Sequence, residues 1–145
     1  MTKSEFQSYM YKHIPVTKAM GFEVEKFDKD KIAIKAHLAP NINHKSTAFG
    51  GSVSSLLIMC GWGKIRKICE ELPSVPHIVI QKSDVEYLKA ITQDFTASCE
   101  AISDEEIERF RTTYLKFGKA RLIINSFIEI NGVICAKGTG HYVIF

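Results

Sequence analysis

The longest helix that the sequence predicts, over residues 51–72, is the feature that most constrains the fold. Its first half, from Val53 to Cys60, is apolar almost all round, and a helix of that kind belongs inside a core. Pro73 and Pro76 end the helix because proline cannot continue it. The rest of the chain must therefore supply a layer that wraps around one buried helix.

The remaining segments predict that this layer is an antiparallel sheet. Apolar and polar residues alternate in six strand-like segments, namely 22–27, 32–38, 78–88, 95–101, 122–130 and 133–144. Asn131-Gly132 is a strong signal for a two-residue hairpin turn. Further helices are expected over residues 4–14, capped by Ser4, and after a Ser103–Glu106 capping box.

These elements predict an α+β fold in which an antiparallel sheet is wrapped around a long central helix. A length of 145 residues suits one domain, over residues 1–145, and the 46% of apolar residues is enough for a core. An exposed edge strand would remain in such a sheet. Because pairing two copies would cover that edge, we expect a homodimer or a dimer of dimers.

The charge distribution favours an anionic ligand or partner. No acidic residue occurs from Lys31 through Cys69, whereas several basic residues do. Lys45, Lys64 and Lys67 are the candidates to meet phosphate or an acidic partner protein, and the alternative is an ordinary solvated basic face. Nucleic acid is a poor candidate, since the chain has no Arg-rich cluster and no recognised nucleic-acid-binding motif.

Several other classes of protein are disfavoured. No apolar run approaches the ~18–20 residues that cross a bilayer, and the N-terminus has no apolar signal region, so we expect a cytoplasmic protein without a membrane partner. The cysteines form no CxxC pair and have no histidine at zinc-finger spacing, so we expect no metal and no cofactor. Buried free thiols are expected; only Cys69, beside Lys67 and near Arg66, has basic surroundings.

The polar segment that runs into the long helix contains the candidate site. Gly50, Gly51 and Ser52 would present unpaired backbone N–H groups at the positive end of the helix, where they could hold an anion or a developing oxyanion. Asn43 could donate its side-chain NH₂ to a carbonyl or hold a carboxylate, and Phe49 would make the surroundings apolar. The structural alternatives are that Asn43 braces a turn, that the glycines allow close packing, and that Phe49 fills the core.

These segments resemble the hotdog fold, and in particular the thioesterase family named for the YiiD C-terminal domain. The resemblance covers nearly the whole chain. The residues that carry it are Asn43-His44-Lys45-Ser46-Thr47-Ala48-Phe49-Gly50-Gly51-Ser52, the Gly61-Trp62-Gly63 step, the run from Ile78 to Leu88, and Asp94-Phe95-Thr96-Ala97.

This resemblance implies an acyl-thioester substrate carried by coenzyme A or acyl carrier protein. It also implies a dimeric double hotdog with sites at the subunit interface. Members of the family have been assigned as malonyl-acyl carrier protein decarboxylases with a key asparagine in the loop before the helix. Asn43 is the position that matches that asparagine.

The chain departs from the commoner hotdog thioesterases at two places. Their His-Gly-Gly is Phe49-Gly50-Gly51 here, and their helix Asp or Glu is replaced by Ser55 and Ile58. Decarboxylation of a malonyl thioester needs no base. Our leading hypothesis is therefore a decarboxylase that converts malonyl-acyl carrier protein, or malonyl-coenzyme A, into the acetyl thioester that primes fatty-acid synthesis.

Two other functions stay open. One is an acyl-thioester hydrolase in which His44 or Asp84 assists a water molecule, since a positioned base contributes ~10²–10⁴-fold. The other is a non-catalytic module that binds an acyl chain or a carrier protein. Ser83 and Asp84 are further substrate-binding candidates on the third strand, unless they only mark a kink in it.

Overall fold

The computed structural model describes residues 1–145 and contains four α-helices, two short 3₁₀ turns and six strands. In chain order the elements are α1 (Lys3–His13), α2 (Val16–Ala19), β1 (Glu23–Phe27), β2 (Ile32–Ala36), a 3₁₀ turn (Ala39–Asn41), α3 (Gly50–Ile68), a second 3₁₀ turn (Cys69–Glu71), β3 (Ile78–Tyr87), β4 (Phe95–Cys99), α4 (Asp104–Phe117), β5 (Ala120–Ile130) and β6 (Val133–Ile144).

All six strands form one antiparallel sheet in the order β1-β2-β4-β5-β6-β3. Helix α3 packs against β2, β3, β4, β5 and β6 of this sheet. The predicted antiparallel sheet around a long central helix is therefore confirmed. The edges of the sheet are β1 and the ten-residue strand β3.

The core lies between α3 and the concave face of the sheet. Leu56, Cys60 and Ile65 of α3 are completely buried there. Gly61 is needed because a side chain at this position would overlap Tyr142 of β6, whose hydroxyl donates to the Ile58 carbonyl at 2.7 Å. Burial raises the pKa of Tyr142 far above its usual value, so the hydroxyl stays a donor.

The ends of the helices differ from the sequence prediction in detail. Thr2, not Ser4, caps α1: its hydroxyl accepts from the Glu5 N–H, and the Glu5 carboxylate accepts from the Thr2 N–H. Ser103 caps α4 as predicted, but without the reciprocal Glu106 bond. Helix α4 runs to Phe117, beyond the predicted short helix, and the predicted helix over 51–72 ends at Ile68 with a 3₁₀ turn after it.

Two turn features follow the sequence closely. Asn131 and Gly132 both have positive φ, 51° and 78°, as a two-residue hairpin between β5 and β6 requires. Gly118 ends α4 in the left-handed region with φ 70°. None of the helices combines the length and the apolar composition that crossing a bilayer would need.

Candidate functional site

The first turn of α3 leaves three backbone N–H groups without partners. The N-cap is Phe49, which has no side chain that can accept a hydrogen bond, and the first helical bond runs from the Val53 N–H to the Phe49 carbonyl at 3.0 Å. The N–H groups of Gly50, Gly51 and Ser52 therefore have no hydrogen-bond acceptor in the chain. They lie at the positive end of the helix dipole, which favours a negative charge.

The loop before α3 is braced by the side chain of Asn43. Its Oδ1 accepts from the backbone N–H groups of Lys45, at 2.9 Å, and of Thr47, at 3.1 Å. Its Nδ2 donates to the Thr47 hydroxyl at 2.8 Å and lies 3.5 Å from the Ala48 carbonyl oxygen. A separation of 3.5 Å is at the limit of hydrogen bonding, so one Nδ2 hydrogen is almost uncommitted.

The same loop is fastened to the body of the protein at its far end. The Ala48 N–H donates to the Ile91 carbonyl at 2.8 Å, and the Phe49 N–H donates to the Asn41 carbonyl at 2.7 Å. Asn41 is itself buried, and its Nδ2 donates to the carbonyls of Met20 and His37. Asn41 was not among the residues singled out from the sequence, because its partners lie outside the loop.

An apolar pocket of about 290 Å³ lies at the start of α3, where Gly50 is part of its lining. It is bordered by the start of α3, the end of β3, the segment that follows β3, and the start of β6. Its lining contains no Asp or Glu and consists of Ala48, Gly50, Val53, Tyr87, Leu88, Lys89, Ala90, Ile91, Cys135 and Ala136. The pocket thus offers hydrogen-bond donors and apolar surface, without a carboxylate to act as a base.

The two glycines differ in their surroundings. A Cβ on Gly51 would overlap the ring of Phe49, which folds back over it. A Cβ on Gly50 would meet the Tyr87 ring at 3.5 Å, an ordinary contact distance. Phe49 itself is 55% exposed, so the alternative that it fills the core is wrong.

Other residues singled out from the sequence lie elsewhere. Lys64 is only 4% exposed and donates to the Lys29 carbonyl at 2.8 Å, while Lys67 pairs with Glu70 at 2.8 Å. At 1.5 Å per residue, both lie about 20 Å or more along α3 from Gly50. Lys64 and Lys67 therefore lie away from the start of α3, whereas Lys45 lies on the loop before it.

Asp84 also points away from the helix. A β-bulge between Ile80 and Lys82 reverses the alternation of β3, so Ser83 faces α3 while Asp84 lies on the outer face of the sheet. There the Asp84 carboxylate lies 3.6 Å from the Lys82 ammonium. Within a single chain, Asp84 therefore does not reach the pocket. His44 is exposed and has no hydrogen-bond partner within the protein.

The cysteines do not supply a reactive thiol near the pocket. All four are free, and three of them are buried. Burial raises the pKa of Cys69 to about 11, which outweighs the nearby arginines, so its thiol stays protonated at neutral pH. The suggestion that Cys69 has the surroundings of a reactive thiol is therefore wrong.

The family model described as "Putative thioesterase (yiiD_Cterm)" matches residues 3–145. The chain belongs to this family. Solved structures share its fold, as expected for a hotdog protein. A protein of unknown function from Chlorobaculum tepidum is 28% identical, with a TM-score of 0.92 over 99% of this chain and 93% of that chain. A Shewanella oneidensis protein described as a "putative thioesterase" is 24% identical, with a TM-score of 0.82 over 98% of this chain and 96% of that chain.

A further relative was crystallised with coenzyme A. This Streptococcus pneumoniae protein, described as a hypothetical thioesterase, is 16% identical, with a TM-score of 0.59 over 85% of this chain and 87% of that chain. Family membership makes the chain a hotdog protein of the acyl-thioester enzyme class.

Proposed function

We propose that the protein is a cytoplasmic enzyme that decarboxylates a malonyl thioester, on acyl carrier protein or coenzyme A, to the acetyl thioester that primes fatty-acid synthesis. One observation carries the proposal. The N–H groups of Gly50, Gly51 and Ser52 are unpaired in the first turn of α3, and Gly50 lines an apolar pocket whose lining includes no carboxylate. Such a site can stabilise a developing oxyanion but has no carboxylate to activate water.

Decarboxylation fits these groups because it needs no base. The bond between the malonyl carboxylate and Cα breaks, its electron pair moves into the thioester carbonyl, and CO₂ leaves. The resulting enolate oxygen carries the negative charge until Cα takes a proton from water. A backbone donor aimed at such an oxygen contributes roughly 3–4 kcal/mol, and the amides of Gly50 and Gly51 are in place without reorganisation.

The second donor in this proposal is Asn43. Its Nδ2 donates one hydrogen to the Thr47 hydroxyl, and the other, which has only the Ala48 carbonyl oxygen at 3.5 Å, would be available to a thioester carbonyl placed against it. The brace would then hold the amide in the orientation that donation requires. In this proposal the Asn43 side chain has two roles: it braces the loop, and it donates a hydrogen bond to the substrate.

The apolar lining supports loss of the carboxylate charge. A carboxylate in apolar surroundings loses much of its hydration, and this favours conversion to neutral CO₂. Val53, Ile91 and Cys135 supply such a surface at the base of the pocket. Phe49 and Ser52, at the first turn of α3, would contact the substrate from the side of the loop.

Hydrolysis is the second candidate, and the thioesterase description of the family favours it. It needs a base near the thioester carbon. His44 is exposed on the loop and Asp84 lies on the outer face of the sheet, so a single chain brings neither to the pocket. This is why we place decarboxylation first.

The carrier of the acyl group would approach a basic rim. Lys89 lines the pocket, and Lys45 lies on the braced loop; both side chains are exposed. They can meet the phosphates of coenzyme A or acidic side chains of a carrier protein. The coenzyme A bound to the Streptococcus pneumoniae relative makes the coenzyme A thioester a suitable first probe.

We further propose that two copies pair along β3, with dimers pairing again in a dimer of dimers as the alternative. Strand β3 has ten residues, and its free edge carries exposed apolar side chains such as Val79, 42% exposed. The pocket lies at the end of this strand, so pairing would place the site at the interface between subunits. Native mass spectrometry would give the number of chains directly.

Product analysis tests the proposed function. The protein is incubated with malonyl-coenzyme A and with malonyl-acyl carrier protein, and the products are identified by mass spectrometry. Acetyl thioester with CO₂ is the expected result, whereas free malonate with free thiol would establish hydrolysis. If the protein binds both thioesters but converts neither, it is the non-catalytic binding module of the third alternative. Lys29→Ala is the control variant, and its turnover should equal that of the wild type because Lys29 is exposed and lies beside Lys64, far along α3 from the pocket.

A further inference from the structure

Tyr87 connects the edge strand to the first turn of the central helix. It is the last residue of β3, and its hydroxyl donates to the Gly50 carbonyl at 2.9 Å. Its ring lies against the Cα of Gly50, where an added Cβ would stand 3.5 Å from the ring. The side chain is 58% exposed, so this contact is made at the mouth of the pocket and not in the core.

The carbonyl that Tyr87 contacts belongs to the peptide group that carries the Gly51 N–H. A peptide group is planar and trans, so its C=O and N–H point in opposite directions. In a helix the carbonyl points toward the C-terminus and the N–H toward the N-terminus. The Tyr87 hydroxyl therefore contacts one end of this group, while the other end, the unpaired Gly51 N–H, faces the loop.

A hydrogen bond to one end of a peptide group strengthens the donor at its other end, because chains of hydrogen bonds polarise one another. A carbonyl oxygen has two lone pairs, so the Gly50 oxygen can accept the tyrosine hydroxyl in addition to its helical N–H. The contact also fixes the plane of the peptide group. Both effects act on the N–H that would hold an enolate oxygen.

We propose that Tyr87 is a positioning residue that orients and polarises the Gly51 N–H for the acyl carbonyl. This inference rests on the proposed function. Stability alone gives little reason for the contact, since an exposed hydroxyl can bond to water almost equally well. Tyr87 does not need to contact the reacting atoms, because it acts through the peptide group between Gly50 and Gly51.

Tyr87→Phe tests the inference, since it removes the hydroxyl and keeps the ring. In the free protein, the amide proton of Gly51 should shift upfield in NMR spectra by more than the amide protons of Gly50 and Ser52. With malonyl-coenzyme A, kcat should fall about 3- to 10-fold, the loss expected for one modest hydrogen bond, while KM changes less than about twofold. Tyr114→Phe is the matched control, because the Tyr114 hydroxyl has no hydrogen-bond partner in the protein.

The outcomes separate this inference from the proposed function. If the wild type decarboxylates malonyl-coenzyme A but Tyr87→Phe keeps its kcat, or if the Gly51 amide proton does not move, the role of Tyr87 is refuted. If the wild type leaves every malonyl thioester intact, the proposed function fails and the catalytic role of Tyr87 fails with it. The NMR measurement distinguishes the two failures, because it detects the link from Tyr87 to Gly51 without any substrate.

Discussion

Replacing Asn43 by Asp separates the two roles that the structure gives to this side chain. The Oδ1 acceptor, which holds the N–H groups of Lys45 and Thr47, is kept in Asn43→Asp. The Nδ2 donor, which contacts the Thr47 hydroxyl and the Ala48 carbonyl, is lost. Asn43→Ala removes both the acceptor and the donor, so it is the comparison that reports on the brace.

The magnitudes follow from the bonds that each change removes. Asn43→Asp loses one well-formed donor bond and one long contact, so unfolding should become easier by about 1 kcal/mol. Asn43→Ala also loses the two bonds to Oδ1 and should cost about 2–3 kcal/mol in total. If Nδ2 donates to the enolate oxygen, either change should lower kcat by about 10²–10³-fold, as expected when one such donor is removed.

The assay combines turnover of malonyl-coenzyme A with urea unfolding of the same preparations. The proposal requires Asn43→Asp to be nearly as stable as the wild type and yet to lose most of its kcat. Turnover within about threefold of the wild type would refute catalysis by this residue, since removal of a transition-state donor costs far more. Asn43 would then be a brace alone.

Two further predictions concern pH and packing. Hydrogen bonds to Glu23 and then to Asp94, each 2.9 Å long, raise the pKa of His37 above its usual value of about 6.5. Protonated His37 therefore stabilises the fold fully below the pKa that it has in the unfolded protein, and this stabilisation is lost as the pH rises through the pKa that it has in the folded protein. The Tm difference between the wild type and His37→Gln should be larger at about pH 5.5 than at about pH 9. Equal Tm differences at the two pH values would contradict this. Gly61→Ala forces a methyl group against the Tyr142 ring and strains the hydrogen bond from its hydroxyl to the Ile58 carbonyl. Alanine favours the helix more than glycine does, but the overpacking and the strained bond should outweigh this gain and lower the free energy of unfolding by about 1–3 kcal/mol. Urea denaturation measures this loss, and unchanged stability would mean that β6 can move away from α3.

The sequence predicted the fold well because the informative patterns are local. The apolar run from Val53 to Cys60 is stable only when it is buried in a core, and the dipeptide Asn131-Gly132 by itself favours a two-residue hairpin turn. The helix cap was misplaced although the signal was present. Thr2 with Glu5 and Ser4 with Gln7 both have the spacing of a capping box. In the structure the Gln7 side chain accepts from the Val24 N–H instead, and Thr2 caps the helix.

The sequence predicted part of the candidate site, again because that part depends on residues that are neighbours in the chain. The unpaired N–H groups after Phe49 follow from the order of loop, glycines and helix, which are neighbours in the chain. The shared charge of Lys45, Lys64 and Lys67 did not show that the last two lie far along α3 from the loop, at 1.5 Å for each residue. The contact of Tyr87 with Gly50 joins residues 37 positions apart, so no local pattern reports it.

The bulge in β3 decides which side chains of the strand face α3 and which face solvent. Ile78 and Ile80 face the core, and an unbroken alternation from them would turn Asp84 inward and Tyr87 outward. The register shift between Ile80 and Lys82 reverses that order, so Asp84 faces solvent and Tyr87 reaches Gly50. The half-buried residues of the strand accordingly change from even positions, Ile78 and Ile80, to an odd position, Val85. One extra residue in an edge strand thus turns a carboxylate that could activate water away from α3 and brings a hydroxyl to the Gly50 carbonyl. Under the proposed function this removes a base that hydrolysis would need, whereas a backbone donor can serve either reaction.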